Sequence, residues 1–340
     1  MLSCMVMRGS MMRVKPSCTI ILKSEAIDEP YIKYFTGLKA DIGLLVIFPK
    51  KKSIFFHSPL EKPPRSTKFE AKPFTMPELE KVFKKLEGKT IGYDKRHLSV
   101  GNFSFLKKQI KKAKFVDVSD ELTKKTIIKT PQQINQLKKA AAITEHILAK
   151  LYKALPKMKT ENEALQFLKI ETLKAGGELS FNPIVASGKH ATNPHYEPKP
   201  NTRLQKGFCI IDFGVKYNGY CADISRTIYL GNPKAKEKQA YKQVQNYLIT
   251  LESELRAGKK KVKSPWDIPH ALGHGIGVQV HESPLVGRDT LKTNMCIAVE
   301  PGMYTKAFGI RIEDNYVVQK NGLKRISKSS RNLNIIKIYQ

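Results

Sequence analysis

At 340 residues the chain exceeds what one core usually organises, and about 150 residues per domain gives two domains. Apolar residues make up 41 % and charged ones 26 %, which supports buried cores and excludes wholesale disorder. No apolar run approaches the roughly 18 residues of a membrane-spanning helix, and the Met-rich start MLSCMVMRGSMM lacks the apolar core and cleavage site of a secretory signal.

The five cysteines, Cys4, Cys18, Cys209, Cys221 and Cys296, are odd in number and scattered without a CxxC. They point away from a disulfide framework or zinc ribbon and toward a reducing, cytoplasmic setting. A net charge of +30 raises nucleic acid as a partner, but Arg supplies only 11 of the 60 basic residues and Lys is spread along the chain. A lysine-rich solvated surface accounts for the charge, and neither nucleic acid nor membrane is expected as a partner.

In chain order, the first 122 residues alternate short strands and helices, with strands expected at 18–22, 43–48, 53–57, 90–93 and 114–118, each rich in Ile, Val or Phe. This predicts a small N-terminal α/β domain. Its segment Glu61 to Phe74, with three prolines and many charges, reads as a loop. The texture changes near Leu122, so the second domain is placed at 123–340. There Thr130, Pro131 and Gln133 form a cap, a first-turn proline and a capping-box partner ahead of Ile134, Leu137, Ala141, Ile147, Leu148 and Leu151 at helical spacing. A second helix opens with Thr160 and Glu163 and closes at Gly176 and Gly177; a third opens with Asn232 and Pro233 and ends near Gly258. Strand-like runs at 207–230 and 295–318 make this domain α+β, built on hairpins.

Each of those two runs carries a pair of acids. In GFCIIDFGVKYNGYCADISRTIYLG the Asn218-Gly219 pair signals a hairpin. A turn centred between Tyr217 and Asn218 makes paired numbers sum to 435, which sets Asp212 opposite Asp223. In CIAVEPGMYTKAFGIRIEDNYVV a turn through Tyr304 to Gly309 makes them sum to 613, which sets Glu300 opposite Glu313. Opposed carboxylates, half-buried beside Ile and Phe, are costly unless a cation neutralises them. Five of the eight histidines, His190, His195, His270, His274 and His281, fall between 190 and 281, and glycines flank His274. Four carboxylates with one imidazole are a ligand set for two divalent ions about 3.5 to 4 Å apart, with Mn or Co favoured and Fe or Zn possible.

At these residues the sequence resembles the M24 metallopeptidase family of aminopeptidase P, prolidase and methionine aminopeptidase, known for its pita-bread fold. The resemblance rests on SFNPIVASG with NPHYEP, IDFGVKYNGYCADISRT, HALGHGIGVQVHE, VEPGMY and GIRIED, in the family's order over most of 123–325. It implies a C-terminal pita-bread (creatinase/aminopeptidase-like) domain with a curved antiparallel sheet and outer helices. It also implies that Asp212, Asp223, His274, Glu300 and Glu313 are the metal ligands, with Asp223 and Glu313 bridging. The Arg311-Ile-Glu-Asp string resembles the Xaa-Pro branch, since methionine aminopeptidases generally lack that arginine. YIKYFTG echoes a helix and turn of the N-terminal domain of aminopeptidase P and prolidase.

The implied activity is hydrolysis of the bond between an N-terminal residue and proline by a hydroxide held between two metals. Glu300 would accept and relay the proton, His195 and His281 would hydrogen-bond the substrate carbonyl or oxyanion, His270 would line the pocket, and Arg311 would orient a carboxylate. A homodimer is expected from the resemblance. Whether the substrate is a dipeptide or a longer peptide stays open, as do a methionine aminopeptidase-like activity and a non-catalytic binding protein on the same fold. Cys221 shares strand parity with Asp223 and so is a minor candidate for the metal face. One departure stands out: relatives carry two helices between the second aspartate and the histidine ligand. Here a single helix precedes GKKKVKSPWDIP, which predicts apolar surface left exposed or covered by a partner subunit.

Overall fold

The computed structural model describes residues 15–24 and 29–338, so Cys4 and the Met-rich start lie outside the described residues. The chain divides into two compact units, 1–123 and 124–340.

In the first unit the order is β1 (Cys18–Lys23), α1 (Tyr31–Thr36), β2 (Gly43–Ile47), β3 (Ser53–His57), β4 (Phe69–Pro73), α2 (Met76–Lys84), β5 (Thr90–Tyr93), α3 (Val100–Gln109) and β6 (Lys114–Asp117), followed by α4 (Ser119–Thr126) across the boundary. The strands form one mixed sheet, ordered β4-β3-β2-β1-β5-β6. Alternation along β1 and β2 feeds two cores. Ile20, Leu22, Leu44 and Val46 join Leu79, Val82, Phe83 and Leu106 of α2 and α3 on one face. Ile21 and Leu45 join Tyr31 and Ile32 of α1 on the other. The sequence reading missed β4, which lies inside the segment read as a loop. It pairs parallel to β3 from Phe69 opposite Ser53 to Pro73 opposite His57. It sits at the sheet edge, where proline at the last position removes no interior ladder bond.

The second unit opens with α5 (Pro131–Ala154) and α6 (Glu161–Lys174). The Thr130 hydroxyl accepts from Gln133 N–H at 3.3 Å and the Gln133 carbonyl oxygen from Thr130 N–H at 2.9 Å, completing the expected capping box. Then come β7 (Glu178–Leu179), β8 (Ile184–Ser187), β9 (Gly207–Phe213), β10 (Val215–Tyr217), β11 (Tyr220–Cys221), β12 (Ile224–Leu230) and α7 (Ala235–Glu254). The helix α7 starts two residues after the expected Pro233, because Glu237 reaches back 2.6 Å to cap the Lys234 N–H. The remaining strands are β13 (Gly273–Gly275), β14 (Glu282–Leu285), β15 (Cys296–Val299), β16 (Gly302–Tyr304), β17 (Gly309–Arg311), β18 (Asp314–Gln319), β19 (Gly322–Arg325) and β20 (Ile335–Ile336). Two sheets, β20-β12-β9-β8 and β14-β13-β15-β18-β19, carry the centre described below.

Among the described residues no second helix follows α7, yet the apolar surface expected to be bare is covered. The irregular segment after Gly258 lays Val262, Trp266 and Ile268 against the cluster of Tyr241, Val244, Leu248, Leu251, Ile297 and Val299. Its backbone is held by Tyr247, whose hydroxyl donates to the Lys263 carbonyl at 2.8 Å, and by the Trp266 indole N–H, which donates to the Gly302 carbonyl. A chain without helical periodicity thus supplies the burial a helix would have given.

Candidate metal centre

The first acidic hairpin differs from the expected register. Asn218 and Gly219 have φ of +48° and +76°, the signature of a two-residue turn centred on themselves. Tyr217 therefore pairs with Tyr220 and Lys216 with Cys221. Further along, Asp212 pairs with Ser225, not with Asp223. The shift is two residues, one full side-chain period, so Asp212 and Asp223 keep the same face and meet diagonally. The second hairpin has the expected register: Gly302 pairs with Arg311 in β16–β17 and Val299 with Asp314 in β15–β18, both summing to 613 like Glu300 with Glu313.

His274 is carried by β13 between β14 and β15, opposite Ala298. Its flanking glycines let the neighbouring backbone approach closely. A Cβ on Gly273 would stand 2.2 Å from the Ala298 carbonyl oxygen, and one on Gly275 would stand 2.1 Å from that of Ser283.

The five residues converge. His274 Nε2 lies 3.4 Å from Asp223 Oδ2, 3.7 Å from Glu300 Oε1 and 4.0 Å from Glu313 Oε1. Ligand-capable atoms of Asp212, Asp223 and Glu313, of His274, Glu300 and Glu313, and of Asp223, His274 and His281 form three groups, each within 4.8 Å. Burial holds the carboxyl groups of Asp223 and Glu313 well above the ordinary range, and neighbouring carboxylates raise them further. Glu300 is pushed up to about 7, again chiefly by burial. Two oxygens, Asp212 Oδ1 and Glu313 Oε1, are buried without any hydrogen-bond partner among the described residues. Bare buried carboxylate oxygens beside like charges are the environment a cation relieves, so these residues fit divalent metal. The His274 Nδ1–H donates to the Gly275 carbonyl at 3.1 Å, an assignment that leaves the Nε2 lone pair toward the acids.

Arg311, 3 % exposed, organises the surroundings. It donates to Asp212 Oδ2 at 2.6 Å, to the Ser225 hydroxyl at 2.9 Å, to the Tyr304 hydroxyl at 2.9 Å and to the Pro194 carbonyl at 3.2 Å. His270 is locked in place. Its Nδ1–H donates to the Ala271 carbonyl at 2.8 Å and its Nε2 accepts from Tyr304 at 3.0 Å, while Nδ1 lies 3.5 Å from Glu300. Burial lowers the basicity of His270 and His281, and Arg311 further lowers the first and His274 the second. His281 packs edge-on to His274 with ring centres 4.5 Å apart. His195 is exposed, on the loop whose Pro194 carbonyl meets Arg311.

Cys221 takes no part: its thiol donates to the Val278 carbonyl at 3.4 Å, and burial pushes it up to about 12. The sequence reading missed three residues. Ser225 bridges Arg311 and Glu313, donating to Glu313 Oε2 at 2.9 Å. Asn315 clamps the Asp223 backbone, donating to its carbonyl at 2.6 Å and accepting from its N–H at 3.1 Å. Tyr304 links Arg311 to His270. Centring the first turn on Asn218-Gly219 would have exposed Ser225 as the partner of Asp212.

Residues 135–320 match the model of metallopeptidase family M24, and residues 20–125 match the creatinase/prolidase N-terminal domain. An Xaa-Pro dipeptidase of Lactobacillus helveticus is 33 % identical over 269 residues, 73 % of each chain. Among solved structures, an X-Pro aminopeptidase from Thermotoga maritima superposes with a TM-score of 0.83 over 94 % of this chain and 98 % of its own at 24 % identity, a likeness of fold. An Xaa-Pro dipeptidase from Bacillus anthracis does so with 0.79 over 94 % and 95 % at 26 % identity. Among the described residues no helix is long and apolar enough to cross a membrane. With its five converging donors on a pita-bread unit behind a creatinase-type N-terminal domain, the chain belongs to metallopeptidase family M24 and is a peptidase enzyme.

Proposed function

We propose that the enzyme hydrolyses the peptide bond between an N-terminal residue and proline, using two divalent ions held by Asp212, Asp223, His274, Glu300 and Glu313. The observation that carries this is the pair of bare buried oxygens, Asp212 Oδ1 and Glu313 Oε1, inside a crowd of carboxyl groups. A non-catalytic protein would gain nothing from keeping so costly an arrangement. Bound there, divalent ions would polarise the scissile carbonyl and acidify water; the oxygen-rich set with one imidazole suits Mn or Co and accommodates Fe or Zn.

The remaining chemistry belongs to the side chains. Glu300, with 16 % of its side chain exposed, is the most open of the four acids and the one set to take and relay the proton. His281, near His274, and His195, on the loop anchored by Arg311, are the donors for the substrate carbonyl and the oxyanion that develops from it. His270, held by Tyr304 and Ala271, lines the pocket. Arg311 orients Asp212 through a charge-assisted bond. The names of the similar dipeptidases support the Xaa-Pro branch. The buried unpaired thiols of Cys18, Cys209, Cys221 and Cys296 support a reducing cytoplasm. A homodimer completes the reading, checked by light scattering.

The test is reconstitution of the apoprotein with Mn or Co. Close to two ions per chain, turnover of Xaa-Pro peptides above Met-Ala peptides, and loss of turnover in Asp223→Asn and Glu313→Gln are expected. Full activity in either variant removes the dinuclear mechanism, and preference for Met-Ala reverses the branch. Rates on a Gly-Pro dipeptide against a longer Xaa-Pro peptide then separate dipeptidase from aminopeptidase.

A further inference from the structure

Outside the metal centre, Glu161 at the first position of α6 is a fully buried acid, 0 % exposed. Its partners all belong to one segment. Glu161 Oε1 accepts from the Ser187 N–H at 2.7 Å and the Ser187 hydroxyl at 2.6 Å, and the two carboxylate oxygens lie 3.0 and 3.2 Å from His190 Nδ1. The Tyr196 ring stacks on His190 with centres 4.4 Å apart and planes 9° from parallel. Burial and then the nearby Glu161 carboxylate push its phenol up to about 12. The far end of the segment returns to the same helix start, where Glu161 N–H donates to the Thr202 carbonyl and Leu204 N–H to the Lys159 carbonyl, both at 2.9 Å.

The His190 tautomer follows from its partners. Gln205 Oε1 accepts from Lys189 N–H at 3.1 Å, so the Gln205 amide nitrogen faces His190 Nε2 at 3.3 Å as a donor. Nε2 is then the acceptor and Nδ1–H the donor to Glu161. The ring bridges a buried carboxylate and the loop. Between these anchors the loop touches the metal centre at Pro194, whose carbonyl accepts from Arg311, and His195 is the next residue.

We infer that Glu161 and His190 are positioning residues that hold the 187–204 loop so that His195 presents its imidazole to the substrate. A loop of this length fixed only at its ends would spread His195 over many positions, and catalytic hydrogen bonding is sensitive to displacements of about 1 Å. This rests on the role proposed above for His195.

The experiment uses the full-length enzyme loaded with Mn and compares His190→Ala, Glu161→Gln and His195→Ala, singly and in pairs. Each single variant is expected to lose about tenfold or more in kcat with KM changed less than twofold, and Mn affinity of the apoprotein is expected to stay within twofold. Adding His190→Ala or Glu161→Gln to His195→Ala should cost less than a further twofold, because the clamp acts only through that imidazole. His190→Ala alone carries the test if Glu161→Gln fails to fold. Additive losses, or Mn affinity falling with activity, overturn the clamp while leaving the functional reading standing. Full activity in His195→Ala overturns that reading and the clamp together.

Discussion

Arg311 donates to Asp212 Oδ2 at 2.6 Å while Asp212 Oδ1 stays buried and bare. One oxygen of the acid is thus fixed by the protein, and the other, without a partner among the described residues, is the one the proposed cation would take. The same division recurs at Glu313, whose Oε2 accepts from Ser225 while its Oε1 has no partner.

Replacing Arg311 by lysine tests this division. The guanidinium spreads its donors over Asp212, Ser225, Tyr304 and the Pro194 carbonyl, and an ammonium on a flexible stem cannot reproduce that fork. Arg311→Lys is expected to weaken metal binding by about 10- to 100-fold, as loss of a ligand-orienting partner does, with kcat falling alongside. Calorimetric titration of the apoprotein with Mn measures the first quantity directly; unchanged affinity would mean that Asp212 needs no orienting partner.

A second prediction concerns the metal-free protein. Asp223 is raised by burial and then by Asp212 and Glu300, so its charge opposes folding when no cation is present. Asp223→Asn should therefore melt higher than the parent in chelator, yet gain little on addition of Mn, whereas the parent gains strongly. Melting curves with and without Mn give both numbers. A variant that melts lower in chelator would show that Asp223 is stabilised by its neighbours.

These relationships show where the sequence was legible. The two acidic pairs are visible because a strand's side-chain period is two, and even the displaced register of the first hairpin kept Asp212 and Asp223 on one face. The expected strands at 53–57 and 90–93 have the observed bounds, since β-branched and aromatic runs end at polar or glycine-bearing turns. Strand β4 was hidden because FEAKP has little alternation and gains its place by pairing with β3. Ser225 was hidden by the misplaced turn, and Tyr304 and Asn315 for another reason: a hydroxyl or amide contributes by where the fold carries it, and no spacing marks it out.

The first unit offers a pH-dependent prediction. Glu29, 4 % exposed, accepts from the N–H groups of Tyr31 at 2.6 Å and Ile32 at 3.0 Å at the start of α1. Burial outweighs these donors and pushes its carboxyl from 4.5 up to about 7. Below 4.5 both folded and unfolded chains hold the proton; between 4.5 and about 7 only the folded chain does. Stability supplied by this group is therefore full at low pH and declines across that window, by up to about 3 kcal/mol at about 1.4 kcal/mol per unit. Glu29→Gln removes that decline, so the variant should gain on the parent between pH 5 and pH 8 in urea unfolding of the apoprotein. An equal change in both proteins would place the ionisable burden elsewhere.

The last prediction addresses the irregular segment after Gly258, which covers the core in place of a second helix. Trp266 lies on the apolar cluster of the second unit and donates its indole N–H to the Gly302 carbonyl, two residues after Glu300. Truncation to alanine uncovers that cluster and frees the turn leading into β16. The cost should be about 2 to 4 kcal/mol, somewhat below that of a fully buried tryptophan because Trp266 is only half-buried. A rise in binding of an apolar dye should accompany it, since Val262 and Ile268 alone cannot cover the area. Trp266→Phe, which keeps the ring and loses the donor, separates burial from the hydrogen bond: if packing is what matters, it recovers most of the stability. If Trp266→Ala melts like the parent with no added dye binding, the irregular segment is not the cover for this core, and some other surface must be.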